Sequence, residues 1–428
     1  MPRAAPVVVW NERAAAASAA RWDAVCAQEG WGRTPADRRL LDAVFGASWY
    51  CTRFLFYRGG AAAALLDLPD PELERIALRP PAAGGPMDNP GDDPEGGLEA
   101  LRIARNESLL AVLALDLRGR LPQRDLETAL TRLAEATLQG LLQLLARDFP
   151  VLERLVVLGL GRLAGGEMNY GSDLDLILLH PDGCTAELLR GVSRLLRDSA
   201  AATPAGRLYE IDARLRPHGS AGALVATLAA FRAHHLGPRE TWERQLLTRC
   251  RLLRDPEGRA APVLAEVAQA VYRPRPPAAL RADILAMRER VERQLGGLAG
   301  ELDLKHGRGG TMDVDFLAHC LQLRHGGAYA ALRSAGTRQA LTRAMAAGLL
   351  DAGRGRQLLE DYDFLKRVEG RLRAFDMRPG GRVLESSQAL DIAARGCGVA
   401  GGGKELLRLC RRGCERVRGA FLRTLAAE

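Results

Sequence analysis

The sequence predicts an α+β fold in which a small mixed sheet sits between two helical regions. Three patterns carry that prediction. Short apolar runs bounded by turn residues cluster near 154–160, 173–180 and 208–216, as expected of buried strands. Before and after them, apolar residues recur at helical spacing, as in the stripe Leu126, Leu130, Leu133, Ala134, Leu138 and Leu141. Leucine, alanine and arginine dominate the composition, which favours helix over strand elsewhere.

Taken in chain order, residues 12–66 and 98–148 have helical periodicity. Between them, the Pro-, Gly- and Asp-rich stretch from Pro80 to Gly97 reads as a flexible acidic linker. The strand Arg154-Leu-Val-Val-Leu158 follows, then a glycine-rich turn, then a strand beginning at Asp173. A helix from Ala186 to Ser199 separates that strand from the next, Tyr209-Glu-Ile-Asp-Ala-Arg-Leu-Arg-Pro217. From about 256 the pattern is helical to the end, broken by glycine turns near 307, 326, 379 and 400. The expected organisation is a helical region over 1–148, a sheet-bearing domain over 149–256 and a helical bundle over 257–428. A chain of 428 residues is long enough for two or three cores.

Composition narrows the class. The hydrophobic fraction of 47% allows sizeable cores, yet no run approaches the roughly 18 apolar residues of a membrane helix. Eight cysteines show no Cys-x-x-Cys spacing, which fits reduced, buried thiols and a cytoplasmic protein. The net charge of +8 would suit an acidic partner or nucleic acid. The arginines are spread along helical faces, however, with no basic block. They read as solvated surface, some of it lining a nucleotide site.

The chemistry concentrates in Gly159-Leu-Gly-Arg-Leu-Ala-Gly-Gly-Glu-Met-Asn-Tyr-Gly-Ser-Asp-Leu-Asp-Leu-Ile-Leu-Leu-His180. Successive side chains of a strand alternate faces, so Asp173 and Asp175 point one way while Leu174 and Leu176 enter the core. Two neighbouring carboxylates repel unless a cation lies between them. The economical occupant is Mg²⁺, which takes one or two carboxylates and completes its shell with water and substrate phosphates. Gly161, Gly165 and Gly166 would let backbone N–H groups approach a phosphate, beside Arg162 and Ser172. The turn is neither a P-loop nor a dinucleotide fingerprint. In the third strand, Asp212, Arg214 and Arg216 alternate with apolar residues. Asp212 can complete a metal cage or take a proton, and the arginines can steady a phosphoryl oxygen. The competing reading is a solvated edge strand laced by salt bridges.

These blocks resemble glutamine synthetase adenylyltransferase, a polymerase-β-like nucleotidyltransferase family. The resemblance rests on Gly-x-Gly-Arg-Leu-x-Gly-Gly-Glu, Ser-Asp-Leu-Asp-Leu-Ile and Asp-Ala-Arg-Leu-Arg-Pro. It extends to Thr241-Trp-Glu-Arg-Gln-Leu-Leu-Thr-Arg249 and Asp303-Leu-Lys-His-Gly-Arg-Gly-Gly-Thr-Met-Asp-Val-Asp-Phe316. Members of this family join two homologous halves, one attaching AMP to a tyrosine of glutamine synthetase and one removing it by phosphorolysis. This chain carries one such block and resembles a single half, closer in wording to the adenylylating one. The resemblance implies ATP and Mg²⁺, with Asp173, Asp175 and Asp212 as catalytic metal ligands. It further implies glutamine synthetase as protein substrate and the nitrogen-signalling PII protein as regulator. Arg162 stands where the family commonly has lysine, Ala164 replaces a glycine, and Asp315 replaces a glutamate.

Other features read more plainly. Gly307, Gly309 and Gly310 precede Thr311, a candidate N-cap, and Lys305 would add charge for a nucleotide phosphate there. Trp242 reads as a packing anchor beneath the sheet. The seven histidines lack metal-ligand spacing and receive no role. The rival functions are the phosphorolytic reverse reaction, a regulatory module without turnover, and a nucleic-acid nucleotidyltransferase.

Overall fold

The computed structural model describes residues 7–30, 38–78, 94–183, 185–298, 300–375, 377, 382–385 and 387–426. Its centre is a five-stranded sheet built from β1 (Val156–Leu160), β2 (Leu174–His180), β3 (Ile211–Asp212), β4 (Val225–Thr227) and β5 (Cys250–Arg254). β1 lies between β2 and β5, antiparallel to both, while β3 and β4 pair in parallel with the first and last parts of β2. The sheet is therefore mixed, as the sequence predicts.

Alternation along these strands decides what each face covers. Val157, Leu174, Leu176 and Leu178 enter one core, shared with the N-terminal helices and helix Ala186–Ala200. Val156, Leu158, Leu160, Ile177 and Leu179 enter a second core, shared with the helices that follow β5. All five residues of β1 are buried, because helices cover it on both sides. Asp173 and Asp175 fall on the side of Ile177 and Leu179, facing the C-terminal helices.

The helical reading of both flanks holds, with breaks where local chemistry demands them. The predicted 12–66 segment divides into Glu12–Glu29, Arg38–Ala47, Trp49–Arg58 and Gly60–Ala63. Ser48 starts the third of these by accepting the Cys51 N–H. The 98–148 segment becomes Pro94–Leu117 and Gln123–Ala146, and every member of the leucine stripe on the second is buried. Residues 80–93 of the expected linker, like the turn expected near 379, lie outside the described residues. Gly97 belongs to the helix that begins at Pro94.

Three strand expectations need correction. The strand expected over 208–216 shrinks to Ile211–Asp212, because turns follow directly, so its charged residues do not share one long face. β4 and β5 were not legible. β5 reads Cys-Arg-Leu-Leu-Arg and is only half-buried, so it shows no clean alternation. The region after 256 is not wholly helical either: β6 (Glu301–Asp303) pairs with β7 (Arg382–Leu384) across nearly eighty intervening residues.

Leu158 tests the second core. Leu158→Ala should destabilise the protein by about 2–5 kcal/mol, read as a lowered thermal midpoint. Leu189→Ala, on the outer side of helix Ala186–Ala200, should stay within about 0.5 kcal/mol of wild type.

Candidate active site

Beneath the start of β2 lies a cavity of about 290 Å³. The sheet side supplies Gly161, Arg162, Ser172, Asp173 and Asp175, and the turn before helix Thr311–His325 supplies Lys305. Two helices make the walls, each through one face at the spacing i, i+3, i+4, i+7. Trp242, Gln245, Leu246 and Arg249 come from helix Thr241–Thr248 and its cap, and Met312, Asp315, Phe316 and His319 from helix Thr311–His325. Trp242 is thus no buried anchor: it is 44% exposed and lines the cavity. Its neighbours are structural as expected, since Arg244 donates to the carbonyls of Ala270 and Val271 and Glu243 to Glu240 forms a capping box.

Parallel pairing sets Asp175 directly beside Asp212. Burial, and then the charges of Asp173 and Asp212, push the Asp175 carboxyl up to about 7. Hydrogen bonds from Arg214 hold Asp212 below the usual carboxylate range. The Arg214 guanidinium grips both Asp212 oxygens at 2.6–3.1 Å, and the Arg214 N–H adds a fourth bond at 2.9 Å. Among the described residues no three His, Cys, Asp or Glu side chains stand grouped as ready-made metal ligands. The expected convergence of three carboxylates on one cation is thus not seen in this arrangement: Asp173 and Asp175 line the cavity, while Asp212, beside Asp175, is turned to Arg214. Like charges without a cation between them separate, and the nearest guanidinium takes one of them. A buried carboxyl such as Asp175, whose ionisation its acidic neighbours further oppose, suits a divalent cation.

The glycines act differently from the phosphate cradle expected of them. The Gly161 N–H donates to the Arg249 carbonyl and the Gly166 N–H to that of Leu163. What they provide is room. Gly161 has φ +55°, and a Cβ there would lie 2.9 Å from the Asp175 carboxylate. A Cβ at Gly165 would lie 2.8 Å from the Arg249 guanidinium and 2.9 Å from the Ala335 carbonyl. Gly165 and Gly166 are not among the residues lining the cavity.

The basic residues also divide. Arg162 lines the cavity, but its guanidinium makes a two-point pair with Glu369 at 3.0 and 2.9 Å. Arg214 is exposed on Asp212, and Arg216 braces its own turn through the carbonyls of Ala213 and Gly222. Lys305 is different: its Nζ makes no hydrogen bond or ion pair with the described residues. Burial and the Arg162 charge lower its pKa, while Glu369 and Asp173 oppose the shift. The turn carrying Lys305 is fixed by the Asp303 carboxylate, which accepts the N–H groups of Lys305 and His306 at 3.0 and 2.8 Å. Fully buried Arg288 bonds Asp313 and the carbonyls of His306 and Gly307. The N-cap of the helix is Gly310, with Thr311 its first residue. Ser172 accepts the Asn169 N–H at 3.0 Å, leaving its own hydroxyl proton to donate elsewhere.

Several site residues were not assigned from sequence. Arg249 bridges Glu167 at 2.8 Å and Asp315 at 2.9 Å. Tyr362 donates to Asp315 at 3.1 Å, Thr337 donates to it at 2.7 Å, and Lys366 donates to the Glu167 carbonyl at 2.8 Å. Burial raises the Asp315 pKa, but Arg249, then His319 and the hydrogen bond from Thr337, bring it down to about 2. The available signals were a glutamate closing the glycine block and an arginine closing the Thr241 block. Their partners on helix Ala352–Arg373 carry no motif.

Residues 68–265 match the family model for glutamate-ammonia ligase adenylyltransferase, and residues 278–424 that for GlnD PII-uridylyltransferase. Relatives named bifunctional glutamine synthetase adenylyltransferase/adenylyl-removing enzyme align over much of the chain. The one from Chromobacterium violaceum is 35% identical over 71% of this chain and 34% of its own length. That from Streptomyces avermitilis is 33% identical over 85% of this chain and 38% of its own. The chain thus spans little more than a third of these relatives' length. The small mixed sheet with helical flanks agrees with the polymerase-β-like fold of the matched family. No helix of the described residues is long and apolar enough to cross a membrane.

Two measurements probe the geometry itself. Glu369→Ala would leave Arg162 buried without its partner and should cost about 3–5 kcal/mol, seen as a fall in thermal midpoint. Asp175 works in the opposite sense. Its folded-state pKa lies above the unfolded one, so the folded protein binds more protons and loses stability as pH rises from 3.8 through about 7. In chelator-treated buffer, Asp175→Asn should therefore melt above wild type near pH 8, with the difference shrinking towards pH 5.

Proposed function

We propose that this chain, whose residues 68–265 match the glutamate-ammonia ligase adenylyltransferase family model, transfers AMP from ATP to a tyrosine of glutamine synthetase. The observation that carries this reading is that Asp173, Asp175 and Lys305 line one cavity, with Asp212 outside its lining but paired to Asp175 across the strands, and that the Lys305 Nζ has no partner among the described residues. Such a site balances anions awaiting a cation against a cation awaiting an anion, which suits a metal-bound triphosphate.

Asp173, Asp175 and Asp212 would hold Mg²⁺, which when bound neutralises them and polarises the phosphoryl oxygens. Lys305 meets a phosphate oxygen as a point charge, and Ser172 donates its free hydroxyl proton to another. Arg162, tied to Glu369, acts as a support for the turn, and its positive field still reaches the phosphates. Gly165, Gly166 and Arg216 hold the surrounding backbone, and Arg214 guards Asp212. The tyrosyl oxygen forms its bond to the α-phosphorus while the bond to the pyrophosphate oxygen breaks. Its phenolic proton passes to a carboxylate. Asp212 is the one on the outermost strand of the sheet path, where a protein acceptor would arrive.

The same reading keeps the division of the chain at 148 and 256 and places the work in the cytoplasm, where ATP and glutamine synthetase meet. The match of residues 278–424 to a PII-uridylyltransferase model supports a PII-type signal protein as regulator. The relatives' names include an adenylyl-removing activity, which makes phosphorolytic removal of AMP the second reading.

Incubation with unmodified glutamine synthetase, ATP and Mg²⁺, followed by mass spectrometry, separates the two. AMP on a tyrosine is the expected product. Release of ADP from modified target and phosphate, without forward transfer, would reverse the assignment. Asp173→Asn and Asp175→Asn should each lower transfer by at least about 10²-fold, as loss of a key electrostatic group does, with folding intact by circular dichroism. Undiminished transfer in either would contradict the metal site.

A further inference from the structure

The helix-walled side of the cavity has a chemistry of its own. Trp242, Leu246, Met312 and Phe316 form apolar and aromatic wall there, the surface on which a flat heterocycle packs well. Two polar side chains interrupt it, Gln245 and His319, which are 5% and 9% exposed. The Gln245 Nε2 and both ring nitrogens of His319 are buried without a hydrogen-bond partner among the described residues. Buried polar groups are normally satisfied, and a buried donor or acceptor left without a partner is destabilising. Three such atoms on one cavity wall point to a ligand that satisfies them. Burial, and then the Arg249 charge, lower the His319 pKa to about 4, so the ring is neutral and offers one donor and one acceptor.

We propose that this wall is the base site of the donor nucleotide, where Gln245 pairs through its amide with an adenine edge and His319 makes a second polar contact. A glutamine amide matches the adenine N6 amino group and an adjacent ring nitrogen as donor and acceptor together. Guanine presents a carbonyl in place of that amino group, so the same geometry discriminates against it. Trp242 and Phe316 supply the stacking surface. The inference rests on the reading that a nucleoside triphosphate is the donor, and adds which residues choose its base.

Calorimetric titration of the full chain in Mg²⁺ buffer with ATP, GTP and tripolyphosphate tests it without any acceptor protein. Wild type should bind ATP more tightly than GTP or tripolyphosphate. Gln245→Met, close in volume, should lose roughly 10- to 100-fold in ATP affinity while keeping its affinity for tripolyphosphate, which also reports an intact fold. His319→Phe should lose ATP affinity in the same selective way. Equal ATP binding by wild type and Gln245→Met would overturn the proposal. So would ATP that binds no better than tripolyphosphate, or not at all. Base selectivity without AMP transfer would sink the choice of acceptor and leave the base site standing, whereas transfer without base selectivity would do the reverse.

Discussion

The site depends on the Arg249 guanidinium. Its carbonyl receives the Gly161 N–H, and its side chain holds Glu167 on one side and Asp315 on the other. The turn after β1, the entry to β5 and helix Thr311–His325 are thereby fixed to one another at a single buried cation. Burying three charges costs several kcal/mol in desolvation, and their attraction does little more than offset it. The gain lies in geometry. With both carboxylates matched to one planar fork, the turn has one low-energy position, and the neighbouring Asp175 is presented at a fixed depth.

Around Arg249 a wider lattice of charge joins the sheet to the distant helices. Arg162 with Glu369, Arg371 with Asp116, and Lys366 and Arg338 with Glu127 each span far-apart parts of the sequence. Several other arginines are held in such pairs, among them Arg249 with Glu167 and Asp315, and Arg288 with Asp313. These pairs brace the interior across long stretches of sequence.

What the sequence disclosed follows periodicity and local spacing. The Asp-x-Asp at the head of an apolar run located β2 and the side its carboxylates face. The leucine stripe located helix Gln123–Ala146. What it concealed depends on contacts across long separations. Nothing near Arg162 announces Glu369, and nothing near Arg249 announces Tyr362. The glycine block was visible as a pattern, but its purpose was not. Only the packed structure shows that Gly161 and Gly165 clear space for a carboxylate and a guanidinium, while the Gly161 N–H serves the backbone. β5 escaped because half-buried residues beside a helix end carry no alternating signature. Trp242 was misread because a tryptophan flanked by charges looks alike whether it faces a core or a cavity.

The central sheet closes a different core with each of its faces. No stretch of this polypeptide is thus self-sufficient around the carboxylates. Cutting the chain on either side would bare a whole layer of valine, leucine and isoleucine, and the excised piece would tend to precipitate or to borrow a cover from another molecule. Dissection experiments aimed at isolating a minimal catalytic fragment should accordingly keep both flanks.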